Sequence, residues 1–100
     1  MQLDLSKIKH VHFIGIGGIG ISAIARMMIK EGKVVTGQDM QDSDIIHDLE
    51  KAGAKIMVGQ SILNIPSDTE LIVYTIAIEY YDPELFKKLK EGNVPIRSYP

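Results

Sequence analysis

Apolar positions along the chain follow two alternating rhythms. Short β-rich runs, His10 to Ile14, Lys33 to Gly37, Lys55 to Val58, Leu71 to Ile76 and Val94 to Arg97, have the length of strands. Between them the spacing turns helical. Ile21, Ile24, Ala25, Met28 and Ile29 mark one face of a helix that opens at Gly17 or Gly18, runs to about Glu31 and stops at Gly32. Ile45, Ile46, Leu49 and Ala52 mark a second helix, capped by Asp42 or Ser43 and ended by Gly53. Asp82-Pro83 opens a third, with the aspartate as cap and the proline in the first helical position, and Gly92 stops it after Glu91. Residues 59–68 read as a connector with one short turn at Ile62 to Asn64.

The order β-α-β-α-β, connector, β-α-β predicts an α/β, Rossmann-like fold: a parallel five-stranded sheet with helices on both faces. Right-handed crossovers favour the strand order 3-2-1-4-5, with the apolar fourth strand central. Such a sheet reverses direction between its first and fourth strands, and ligands bind outside the strand ends at that crevice. Two segments meet there: residues His12 to Gly20, and Thr75-Ile76-Ala77-Ile78 after strand four.

The first of these reads His12-Phe13-Ile14-Gly15-Ile16-Gly17-Gly18-Ile19-Gly20, a G-x-G-x-x-G set with one additional glycine. It follows a strand and opens a helix, the context in which backbone N–H groups and the helix N-terminus receive a phosphate or pyrophosphate. Gly15 permits a sharp turn, Gly17 a close approach of phosphate to backbone, and Gly20 close packing of the helix on the sheet. Asp39, 19 residues after Gly20, stands where an acid accepts hydrogen bonds from a ribose hydroxyl and repels a 2′-phosphate. A solvated loop carboxylate is the alternative.

Composition narrows the field. The chain has 100 residues, enough for a single domain at most, and its 45% hydrophobic and 24% charged residues are those of an ordinary globular protein. A net charge of −2 with no basic cluster gives no nucleic-acid footprint. No apolar run reaches the ~20 residues that span a bilayer, so no membrane partner is expected. With no cysteine there is no disulfide or thiolate site, which fits a cytoplasmic protein. The ending at Tyr99-Pro100 is expected of a fragment of something longer.

Other candidates carry less. His10 and His12 share one face of a strand but lack a third metal ligand, so they are expected as core or edge histidines. His47, between Asp44 and Asp48, reads as part of a solvated helix face. Tyr80 either lines the crevice or packs; Arg97 meets either a phosphate or a surface carboxylate. Met27, Met28 and Met57 are expected in the core. No nucleophile–base pair, paired carboxylates or metal set stands out, so no catalytic or metal residue is assigned, and no G-x-x-x-x-G-K-[ST] loop for ATP is present.

His12-Phe13-Ile14-Gly15-Ile16-Gly17-Gly18-Ile19-Gly20-Ile21-Ser22, Gly37-Gln38-Asp39, Tyr74-Thr75-Ile76-Ala77-Ile78 and Val94-Pro95-Ile96 together resemble the N-terminal domain of the Mur ligases over residues 8–100. The string is most like the branch that joins L-alanine to UDP-N-acetylmuramate for peptidoglycan synthesis. The resemblance implies a three-domain, ATP- and Mg2+-dependent amide-bond ligase whose first domain binds the UDP moiety, with ATP and L-alanine taken by domains outside these residues. This fragment alone is then expected to be inactive and to hold no cofactor. By resemblance, Gly17, Gly18 and Ile19 meet the diphosphate, Gln38 and Asp39 sit by the uridine, and Thr75, Ala77 and Ile78 line the opposite wall. One position departs from the family, which has serine where this chain has Gln38. The branch that recycles a muramoyl tripeptide would share this domain. A nicotinamide-dinucleotide module of a dehydrogenase or regulatory sensor is the alternative of another class.

Overall fold

The computed structural model describes residues 3–100. Five parallel strands form one sheet in the order β3-β2-β1-β4-β5: β1 His10–Ile14, β2 Val34–Asp39, β3 Lys55–Val58, β4 Leu71–Thr75 and β5 Ile96–Tyr99. The helices are α1 Ile19–Lys30, α2 Asp44–Ala52, α3 Ile78–Tyr81 and α4 Pro83–Glu91, with single 3₁₀ turns at Leu5–Lys7 and Ile62–Asn64. This is the fold and strand order that the alternating rhythms predict.

The local chemistry explains where helices start. Ser43 is extended and its hydroxyl accepts the Ile46 amide, opening α2; Asp82 does the same for the Leu85 amide, with Pro83 behind it, opening α4. Gly53 closes α2 at φ +122°, a conformation other residues rarely adopt.

Strand alternation then sorts the side chains. Val11, Phe13, Val35, Leu71 and Val73 point to one face, where Ile21, Ala25 and Met28 of α1 and Ile46 and Leu49 of α2 cover them. Ile14, Ile72 and Tyr74 point to the other, beneath Ile78 of α3 and Leu85 and Leu89 of α4. On that second face the β1–β2 half carries His10, His12, Thr36 and Gln38 instead, all buried.

Four expectations are corrected. β2 continues to Asp39, because Gln38 and Asp39 pair with Met57 and Val58 of β3. β4 stops at Thr75, one residue early, and the chain enters α3, which the periodicity does not predict because it is a single turn. β5 lies two residues later than expected. Of the three methionines only Met28 is buried: Met27 faces out from α1 and Met57 lies on the edge strand β3.

Candidate functional site

The crevice is built at the carboxyl ends of β1, β2 and β4. After Ile14 the chain turns at Gly15, whose φ of +79° is a glycine conformation. A Cβ there would also collide with the Thr75 side chain, so the loop lies directly on the end of β4. The amides of Gly15 and Ile16 both donate to the Gln38 carbonyl, at 2.9 and 3.2 Å, and Ile16 is fully buried against Gly37. The Gly18 amide closes the loop onto the Gly15 carbonyl at 3.1 Å. Gly18 then N-caps α1 with no side-chain acceptor, and Ser22 to Gly18 is the first helical bond. The amides of Ile19, Gly20 and Ile21 therefore stand at an uncapped helix N-terminus, without an acceptor among the described residues.

Asp39 faces this loop. Its Oδ2 accepts the Gly17 amide at 2.9 Å and its Oδ1 accepts the Gln41 amide at 3.1 Å. A Cβ on Gly17 would stand 2.9 Å from Asp39 Oδ2, so a side chain there would push the carboxylate aside. Each oxygen keeps a free lone pair.

Of the residues expected at the site, Gly15, Gly17, Gly18, Ile19, Gly20, Asp39, Thr75 and Ala77 do gather around this crevice, but two do not present side chains to it. Gln38 is 0% exposed: alternation places it on the face of His12, and its amide bonds His12 and the Ser61 backbone. Ile78 is equally buried, because as the first residue of α3 it turns under the sheet toward Leu85 and Leu89. The Gly17 and Gly18 amides are bonded within the chain, and the free ones begin at Ile19.

Sequence reasoning missed three neighbours. Tyr99 of β5 packs its ring where a Cβ on Gly20 would be, so that glycine admits a tyrosine. Tyr81, beside Tyr80, precedes the Asp82 cap of α4, and partial burial, then the Asp39 and Asp82 carboxylates, raise the pKa of its phenol. Gln60 donates to Asp82 at 2.8 Å and ties the connector to α4. The adjacent Tyr-Tyr-Asp-Pro string was the available signal for Tyr81. Nothing in the composition marked Tyr99 or Gln60. Ile19, the first residue of α1, is 86% exposed.

The remaining candidates fall elsewhere. His10 and His12 both approach the Thr36 hydroxyl, at 2.9 and 2.8 Å, and are core residues. His47 is on an exposed helix face beside Asp42, and the exposed Arg97 donates to its own neighbour's carbonyl. Among the described residues no helix is long and apolar enough to cross a membrane.

A strand, glycine loop and uncapped helix at the switch point of a parallel sheet define a doubly wound α/β fold of the Rossmann kind. A model of the Mur ligase family, catalytic domain, matches residues 10–100. The chain is 46% identical over 96 residues to the UDP-N-acetylmuramate–L-alanine ligase of Clostridium kluyveri, covering 96% of this chain and 21% of that enzyme. It is 49% identical over 90 residues to the enzyme of the same name from Acetivibrio thermocellus, covering 90% and 19%. In fold it matches a murein peptide ligase of Psychrobacter arcticus with a TM-score of 0.80, at 23% identity over 89% of this chain and 18% of that one. The chain belongs to the Mur ligase family, and it spans about a fifth of the length of the curated relatives it matches.

Proposed function

We propose that these residues bind the UDP moiety of UDP-N-acetylmuramate, as the N-terminal domain of a cytoplasmic, ATP-dependent ligase that joins L-alanine to it. The observation that carries this reading is the open first turn of α1 beside a carboxylate that retains acceptor capacity. The diphosphate takes the amides of Ile19, Gly20 and Ile21, where the helix N-terminus favours an anion. Gly17 and Gly18 shape the loop, and Asp39 accepts a ribose hydroxyl. Thr75 and Ala77 form the facing wall. The names of the relatives supply the muramate and the alanine.

ATP and Mg2+ belong to other parts of the enzyme. These 100 residues contain no G-x-x-x-x-G-K-[ST] string. Their contribution to the reaction is to bind and orient the nucleotide sugar.

Titration of the 15N-labelled chain with UDP tests the reading: the resonances of Ile19, Gly20, Ile21 and Gln41 are expected to move. Asp39→Ala is expected to weaken UDP by about 1–3 kcal/mol, the range of a charged hydrogen bond. If NADH moves these resonances at lower concentration than UDP, the UDP reading is overturned.

A further inference from the structure

One buried polar chain is not used by the site as described, and its donor and acceptor roles are fixed from its two ends. The Ser61 N–H donates to Gln38 Oε1 at 2.8 Å. That contact turns Gln38 Nε2 toward His12 Nε2, also at 2.8 Å, and an amide nitrogen only donates. His12 Nε2 is therefore the acceptor, and the ring proton sits on Nδ1, donating to Thr36 Oγ1 at 2.8 Å. The Thr36 hydroxyl sends its own proton to His10 Nε2 at 2.9 Å, and His10 Nδ1–H donates to the exposed Asp68 carboxylate at 3.1 Å. Every link points from the connector's backbone toward Asp68.

Gln38 is the joint of this chain and of the crevice. Its carbonyl receives the Gly15 and Ile16 amides, and Asp39 follows it directly. Next to Ser61, Gln60 donates to Asp82, the cap of α4 that follows Tyr81. The glycine loop meets the main-chain carbonyl of Gln38, the carboxylate follows it in the chain, and its buried side chain holds Ser61, next to the Gln60 that reaches the far wall.

We propose that Gln38 is a positioning residue of the nucleotide-sugar site: its buried amide, held between His12 and the Ser61 backbone, fixes the glycine loop and Asp39 relative to the wall carrying Tyr81. The role rests on the reading given under Proposed function. An amide is needed because one end must accept and the other donate. Methionine offers neither, and a glutamate meets His12 Nε2 only with one added proton, carried by the ring or by the carboxyl.

The test compares the wild-type chain with Gln38→Met and Gln38→Glu. Without ligand, the ring 15N shifts of wild-type His12 are expected to report the Nδ1–H tautomer. Gln38→Met is expected to lose UDP affinity roughly tenfold with its circular dichroism retained, and Gln38→Glu to stay within about fivefold of wild type. Unchanged UDP affinity in Gln38→Met overturns the role, as does an Nε2–H tautomer in wild-type His12. If Gln38→Met does not fold, the wild-type spectrum decides: an Nε2–H ring there overturns the chain of donors. A wild-type chain that binds no UDP overturns the site reading and the role with it, while the tautomer still reports on the hydrogen-bond chain separately.

Discussion

Both faces of the sheet are made from alternate residues of the same strands, yet they are filled by opposite means. Beneath α1 and α2 the sheet is wholly apolar, with Val11, Phe13, Val35, Leu71 and Val73. On the other face the β1–β2 half carries two histidines, a threonine and a glutamine, buried and hydrogen-bonded to one another. What lies above makes the difference. A helix satisfies its own backbone and presents side chains, whereas the connector from β3 to β4 has one 3₁₀ turn and brings bare amides such as that of Ser61. Where α4 covers the same face, under Ile72 and Tyr74, the sheet is apolar again. Strand polarity here follows the cover.

The comparison breaks most visibly on the apolar side. Phe13 is fully buried between β1 and the helices. Phe13→Ala removes most of a large side chain from a packed core and is expected to cost about 3–5 kcal/mol, read from the midpoint of urea unfolding. A loss smaller than that of a single polar deletion on the other face would mean the helix-covered half is not the main source of stability.

The polar face is expected to carry a pH dependence that the apolar face lacks. Burial, and secondarily the neighbouring His10, push the His12 imidazole down from 6.5 to about 4. Between those values the unfolded chain holds a proton that the folded chain does not, so stability rises with pH. The contribution is fully present above about 6.5, declines as pH falls and is gone below about 4, a span of about 3 kcal/mol. Glu70, held low by the amides of Lys9 and His10, and Asp4, held low by Ser6, lose their contributions further down, as pH falls below the ordinary carboxylate range. Unfolding midpoints across the interval test this: Phe13→Ala should keep the wild-type slope, and a flat wild-type curve would show that His12 titrates normally.

The same contrast decides what was legible in the sequence. The apolar face announced itself: β-branched runs and helical spacing predicted the strand order, α1, α2 and α4, and the crevice at the ends of β1 and β4. The glycine loop was visible because backbone geometry restricts the residue type. The contacts around it were not. Gln38 looked like a ligand contact because it stands beside Asp39, and only the extension of β2 by two residues turns it inward. Gly17 reads in sequence as room for a phosphate, while in the fold it first makes room for Asp39. Such roles depend on cross-strand neighbours, and spacing within one segment carries no information about those.

Thr36 sharpens the comparison at smaller scale. Thr36→Val keeps the shape and the β-propensity but removes the hydroxyl that both histidines approach. The His12 Nδ1–H then loses its acceptor in the interior, and a loss of about 1–3 kcal/mol is expected by the same urea measurement. A neutral result would mean that water replaces the hydroxyl and that this half of the core is wet.

The smallest expected effect isolates the cover from the sheet. Ser43 caps α2 through its hydroxyl and lies at the crevice end of the helical layer. Ser43→Ala is expected to cost about 1 kcal/mol. Ser43 makes no contact with the polar chain, so the midpoint-against-pH curve of this variant should run parallel to wild type, displaced by a constant. Combined with Thr36→Val on the opposite face, the two losses should add, because residues without shared partners act independently. Losses that fall short of the sum would show that the helical cover and the buried polar chain are energetically coupled through β2, and that the two faces cannot be treated as separate layers.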